Sequence, residues 1–383
     1  MPFNRFSFLL LLFCGTLCSA MIVPFMAFFL VEGLGYAPWI ISVYSLLAVG
    51  LTLLVNRQFA TRIDAGAVAF PLVGCAIVGF LCAVACLWLS PALWTALSVG
   101  VVGFGLGSSA TSTMFSLGGI LAERLDIARS RFNAHMRATT STAWMVGPAV
   151  TFLIADQISL QAVFLVALLI ATLWAALWWM TLPRDIAAVP KSTAPRDQGG
   201  AALNHDLWRA AAFVFCLSFA HSITFSALPL FYVQEVGLPG YAPGLAFSMK
   251  TFVEVIAIFS TPWIIARFGI RRALLATTLL AVITIQILAQ VQNFPQMLFG
   301  AALEGLYYGF YASLGISYVQ SFSEDRPARA TALYWNAIMV SGVLAGPVVG
   351  SVAQAFDFQA VVRIASVAAL VALAVLGVGR KPR

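Results

Sequence analysis

Long apolar runs, broken by short polar or turn-forming stretches, recur along the whole chain. Twelve of them lie at approximately 6–31, 37–56, 66–89, 92–121, 131–155, 159–182, 207–234, 241–266, 272–291, 295–322, 330–354 and 358–378. Each is close to or longer than the roughly 20 residues that carry an α-helix across a hydrocarbon core at about 1.5 Å per residue. The pattern predicts an all-α membrane protein with twelve transmembrane helices, because a backbone in lipid must satisfy its own hydrogen bonds. The opening MPFNRFSFLLLLFCGTLCSA has features of a secretory signal, with Arg5 before an apolar stretch and small residues near Ala20. The run continues to Val31, long enough to span, and it reads as the first helix.

The longest polar stretch, Pro183 to Asp206, is rich in Pro, Gly and charge and falls near the middle. It divides the chain into an N-terminal six-helix bundle (1–182), a cytoplasmic linker (183–206) and a C-terminal six-helix bundle (207–383). The halves repeat one another. VEGLGYAP, ending at Pro38, recurs as QEVGLPGYAP, ending at Pro243, each just after the first span of its half. RATTSTAWMVGP of span five, ending at Pro148, has its counterpart in span eleven, where VSGVLAGP ends at Pro347. Matching elements at matching positions point to two pseudo-symmetric bundles from a duplicated unit.

Composition agrees with lipid as the main solvent, since 61% of residues are apolar and only 9% charged. The net charge of +7 does not mark a nucleic-acid partner, because the basic residues sit in short loops and not on one solvated face. Arg57 and Arg62; Arg124, Arg129 and Arg131; Arg184, Lys191, Arg196 and Arg209; Arg267, Arg271 and Arg272; and Arg326 and Arg329 occupy alternate loops. With Arg5, Arg380, Lys381 and Arg383, they place 18 of 21 basic residues on one side, so both termini are expected in the cytoplasm. The six cysteines show no zinc-type spacing and read as small buried thiols. No metal or cofactor is expected. The absence of HExxH, GxSxG and a His cluster argues against an enzyme.

Four ionisable residues fall where lipid would penalise them: Arg137 in span five, Lys250 and Glu254 in span eight, and Glu304 in span ten. A charge at the bilayer centre costs roughly 2.5–3.5 kcal/mol on insertion scales, so such residues pair or line a wet cavity. Lys250 and Glu254, four apart, share a helical face and form an i,i+4 pair. A structural salt bridge is the plain reading of such pairs, and a proton-coupling network the functional one. On span ten, Glu304, Tyr308, Tyr311, Gly315 and Tyr318 share a face; on span five Arg137, Ser141, Trp144 and Pro148 do likewise. Aligning the Gly-Pro pairs sets Asn336 opposite Arg137 in register, and His221 projects from the middle of span seven. Aromatic faces with hydrogen-bonding groups suit a sugar, which makes Trp144, Ser141, His221, Tyr308, Tyr311 and Asn336 the substrate-site candidates. Trp39, Trp88, Trp94, Trp178, Trp179, Trp208 and Trp263 fit an interfacial belt instead.

Twelve spans in six plus six resemble the major facilitator superfamily. The loop ARFGIRR (266–272), with Arg267 and Arg271, is similar to the superfamily's basic loop signature, whereas its first-half counterpart NRQFATRID is degenerate. Gly342, Gly346, Pro347 and Gly350 form GxxxGPxxG, similar to the exporter-type motif that normally sits in span five, where this chain keeps Gly147 and Pro148. These positions are assigned to helix packing and gating. MRATTSTAW with GP (136–148), LPLF and QEVGLP (228–239), and Glu254 twelve residues before ARFG further resemble the bacterial sugar efflux transporter family. That resemblance implies proton-driven export of sugars or glycosides through a bacterial cytoplasmic membrane by a monomer. It also implies that spans five and eight pack antiparallel, which would bring Arg137 within reach of Glu254. A multidrug/proton antiporter of the same fold, an uptake symporter and a non-transporting receptor are the competing readings.

Overall fold

A computed structural model describes residues 4–124, 129–187, 205–322 and 327–378, and nearly all of them are helical. The long helices are α1 (Arg5–Gly33), α2 (Trp39–Asp64), α3 (Ala69–Leu89), α4 (Leu93–Gly118, continuing to Arg124), α5 (Arg129–Gln157) and α6 (Leu160–Thr181). They continue as α7 (His205–Glu235), α8 (Ala242–Phe268), α9 (Ile270–Leu288), α10 (Phe294–Gln320), α11 (Pro327–Ala355) and α12 (Phe358–Val378). Among the described residues eleven helices are long and apolar enough to cross a membrane. The remaining one, α10, is 27 residues long, and Glu304 with four tyrosines lowers its hydropathy. The chain is a multi-pass helical membrane protein.

The residues group into two compact units, Met1–Tyr36 with Tyr44–Arg196, and Ala37–Val43 with Asp197–Arg383. In the first, α1 packs on α5 and α6, and α3 on α4 and α6. In the second, α7 packs on α11 and α12, and α9 on α10 and α12. The two lists coincide when six is added to each helix number, which is the internal repeat expressed as packing. The first unit closes around a phenylalanine cluster in which Phe25 meets Phe29, Phe152 and Phe164 at centroid distances of 5.9, 6.0 and 5.9 Å.

The repeated sequence after the first span of each half has a repeated backbone. α1 ends in a π-turn over Phe29–Gly33 and α7 in one over Phe231–Glu235. Leu34 N–H donates to Phe29 O at 2.9 Å, and Val236 N–H to Phe231 O at 3.1 Å. Gly35 (φ 69°) and Gly237 (φ 72°) then supply the left-handed residue that ends each helix. The halves differ at the next link. Glu235 caps α12, accepting from the Phe358 and Gln359 amides at 2.5 and 2.9 Å, where the N-terminal helix dipole favours a carboxylate. The residue at the same place in the α1 π-turn, Gly33, lies against Leu160, and α6 is capped by its own Ser159, which accepts from Ala162 N–H at 3.0 Å. Glu235→Ala is therefore expected to destabilise the protein by about 1 kcal/mol, read as a lowered thermal midpoint in detergent.

Two expectations change. α2 runs to Asp64, eight residues past the predicted end, because Arg57 and Arg62 continue the helix with their side chains exposed and do not open a loop. The cysteines are not all buried: Cys14 and Cys18 are, but Cys75 and Cys82 are exposed on α3. A thiol is apolar enough to face lipid, so its presence in a hydrophobic run does not fix its direction. The predicted linker lies mostly outside the described residues, as do Lys191, Arg196, Arg326, Arg380, Lys381 and Arg383. Its start is anchored in the first unit, where Ala69 N–H donates to Ile186 O at 2.8 Å and the Arg184 guanidinium lies 4.8 Å from the Trp179 ring.

Candidate functional site

The polar cluster is assembled in the second unit on α7, α8 and α10. What permits it is the approach of α8 to α10. A Cβ added to Gly305 would collide with the carbonyl of Lys250, and one on Gly309 would lie 2.5 Å from Glu254 O and 2.8 Å from Ala257 Cβ. Gly305 and Gly309 form a GxxxG face that lets the two backbones touch. In the first unit Gly105 of α4 meets Leu51 and Thr52 of α2 only at ordinary contact, 3.4 and 3.6 Å.

Against this seam Lys250 and Glu254 pair at 3.5 Å, with side chains 8% and 21% exposed. The Lys250 ammonium also lies 4.5 Å from the centre of the Tyr308 ring, whose π-face is a second partner for a desolvated cation. The other face of the arrangement is His221 from α7, stacked on Tyr308 with centroids 3.8 Å apart and 27° between planes. His221 Nδ1 lies 3.4 Å from the Tyr307 hydroxyl and 3.3 Å from Glu304 Oε1. The last approach is off the direction a hydrogen bond requires, and Glu304 Oε1 has no hydrogen-bond partner among the described residues. Lys250, Glu254, His221, Glu304 and Tyr308 thus form one continuous cluster.

Tyr311 is 1% exposed and its hydroxyl is engaged within the bundle, donating to Val214 O at 2.9 Å and meeting Ser218 Oγ at 2.6 Å. Arg137 is exposed on α5 of the first unit, and Ser141 and Trp144 are half-buried on the same helix. Asn336 is exposed on α11. Gly147 marks a close approach of α5 to α1, since an added Cβ would lie 2.8 Å from Ala20 Cβ, and the next turn is tied by Thr151 Oγ1 donating to Met21 O at 3.2 Å. Pro148 beside it is buried. In the GxxxGPxxG element, Gly342 has nothing within 4 Å of an added Cβ, whereas Gly350 has Pro38 O and Ser42 N at 2.9 Å within the second unit. Gly346 is buried and Pro347 half-buried, and the Pro347 carbonyl accepts from Ser42 Oγ at 3.2 Å. Arg271 donates to the carbonyls of Leu376 and Gly377 at 3.2 and 2.9 Å, a cationic cap on the C-terminus of α12. Arg267 lies over Trp263 and Phe268 at 5.6 and 5.8 Å. Among the described residues no group of three or more His, Cys, Asp or Glu is placed to hold a metal ion.

Tyr307, Ser218, Gly305 and Gly309 belong to this cluster and were not singled out by the sequence. The GxxxG spacing of 305 and 309 was the available signal. Tyr307 carried none, because it sits one residue off the stripe of Tyr308 and Tyr311 and is buried toward α7.

Comparisons with known proteins accord with this architecture. The sequence profile of the Major Facilitator Superfamily matches residues 8–248 and 210–383. The chain is 25% identical over 363 residues to Sugar efflux transporter B of Salmonella typhimurium, covering 93% of this chain and 90% of that one. It is 24% identical over 359 residues to Sugar efflux transporter A of Dickeya chrysanthemi, covering 92% and 90%. In fold it is similar to the crystal structure of the nucleoside transporter NupG, with a TM-score of 0.81 at 11% identity over 97% of this chain and 98% of that one. A POT family transporter in complex with 5-aminolevulinic acid gives a TM-score of 0.76 at 12% identity over 98% and 95%. Two six-helix units with one packing scheme, matched by that profile along nearly the whole chain, place the protein in the Major Facilitator Superfamily.

Proposed function

We propose that the protein exports sugars or glycosides across a bacterial cytoplasmic membrane by alternating access, driven by inward movement of protons, as a monomer with both termini in the cytoplasm. The observation that carries this reading is the buried Lys250–Glu254 pair held against Tyr308 beside His221 and Glu304. The named sugar efflux relatives, aligned over more than nine-tenths of the chain, supply the substrate class. Protonation of Glu254 would weaken its hold on Lys250 and so bias the protein between inward-open and outward-open states. In the first unit Trp144 and Ser141, and in the second His221, Tyr308, Tyr311 and Asn336, are the residues proposed to offer a sugar aromatic faces for its C–H surface and polar groups for its hydroxyls. A multidrug/proton antiporter is the second reading, favoured by the exporter-type GxxxGPxxG element of α11.

Proteoliposomes preloaded with a labelled glucoside or a labelled lipophilic cation decide between them. An imposed proton gradient is expected to accelerate exchange of the glucoside and leave the cation unmoved. Acceleration of the cation alone would make the second reading the correct one.

A further inference from the structure

Glu304 and Tyr232 share a feature that the transport cycle above leaves unused. Both side chains are almost fully buried, at 4% and 1% exposure, and both carry an oxygen, Glu304 Oε1 and Tyr232 Oη, without a hydrogen-bond partner among the described residues. Both line the same cavity of about 10 Å³, walled by Leu228, Pro229, Pro243, Ala246 and Phe247. Buried polar atoms are ordinarily satisfied, and two orphans on residues that line one cavity point to a shared partner. A single water needs roughly 10–15 Å³ and two to four polar partners, and the space is of that size.

We infer that this cavity binds one water molecule between Tyr232 Oη and Glu304 Oε1, and that this water is the port through which the Glu304 carboxyl exchanges its proton. His221 of α7 approaches Glu304 directly and Tyr232 of α7 lines the same cavity; Tyr307 and Tyr308 of its own helix meet His221, and Lys250 with its partner Glu254 of α8 lies against Tyr308. Lys250 is engaged by Glu254, and His221 Nδ1 is off-line, which leaves Glu304 Oε1 without a partner on a residue that lines the cavity. Proton exchange at Glu304 gives a second acidic position in the proposed proton-coupled cycle; the binding site itself depends on neither sugar nor proton gradient.

Infrared spectroscopy of the purified protein tests this without transport. A protonated-carboxyl C=O band that Glu304→Gln removes is expected, shifting on transfer to heavy water. Tyr232→Phe, which keeps the ring, and Ala246→Leu, which fills the cavity, are each expected to slow that shift by about tenfold or more while helix content is retained. A band that survives Glu304→Gln, or exchange as fast in both cavity variants as in the parent, overturns the inference. So does a Glu304-dependent band abolished by sodium ions, which would make the cavity a cation site. Failure of glucoside export alongside the expected infrared result would count against the sugar reading and leave the water site standing.

Discussion

Gly305→Ala is expected to lower stability by about 2–3 kcal/mol, and Gly305→Leu to abolish recovery of folded protein, although each change adds only apolar atoms to a helix in lipid. The added Cβ would fall on the Lys250 carbonyl, with Lys250 C at 2.9 Å and Glu254 N at 3.1 Å. All three are backbone atoms of α8, which cannot rotate aside as a side chain can. The two helices must separate, and the separation also displaces the residues that hold the Lys250–Glu254 pair. Gly342→Ala is the control, because nothing lies within 4 Å of its added Cβ. There the ordinary helix-propensity gain of about 0.5–1 kcal/mol should appear. Thermal unfolding in detergent checks both, and equal midpoints for the two alanine variants would contradict the close α8–α10 seam.

The second large effect concerns the charge pair. Breaking a buried pair by removing one partner typically costs about 3–5 kcal/mol, because the survivor is left uncompensated. The two partners are not equivalent. Lys250 is the more enclosed, with an 8% exposed side chain against 21% for Glu254. Glu254→Gln strands the enclosed ammonium with aromatic faces in place of a counter-charge, whereas Lys250→Met leaves a carboxylate that is less enclosed. Glu254→Gln is expected to lower the thermal midpoint more than Lys250→Met. The double variant should fall short of their sum, since neither charge then remains. Additive losses would show that the two residues do not stabilise one another.

Much of the fold was legible because lipid imposes a long, simple period. The last span, 358–378, coincides with α12, and the other ends agree to within a few residues except at α2, where arginines continue a helix that hydropathy had ended. The Pro38 and Pro243 repeats were visible as sequence, but their shared π-turn was not, since a π-turn differs from an α-turn by one residue of hydrogen-bond register. Spacing paired Lys250 with Glu254 because the interaction lies within one helix. It could not join His221 to Glu304, or Glu235 to the amides of Phe358 and Gln359, because those contacts link residues far apart in sequence and depend on how helices pack. Gly305 and Gly309 bring no chemistry of their own, and the close approach they permit depends on which helix they face.

The most direct test of the proposed cycle is the number of protons exchanged per glucoside in proteoliposomes, compared between the parent protein and Glu254→Gln. Coupled exchange in the parent and uncoupled or absent exchange in the variant is the predicted result. An unchanged proton stoichiometry in Glu254→Gln would contradict the claim that this carboxylate links proton movement to transport.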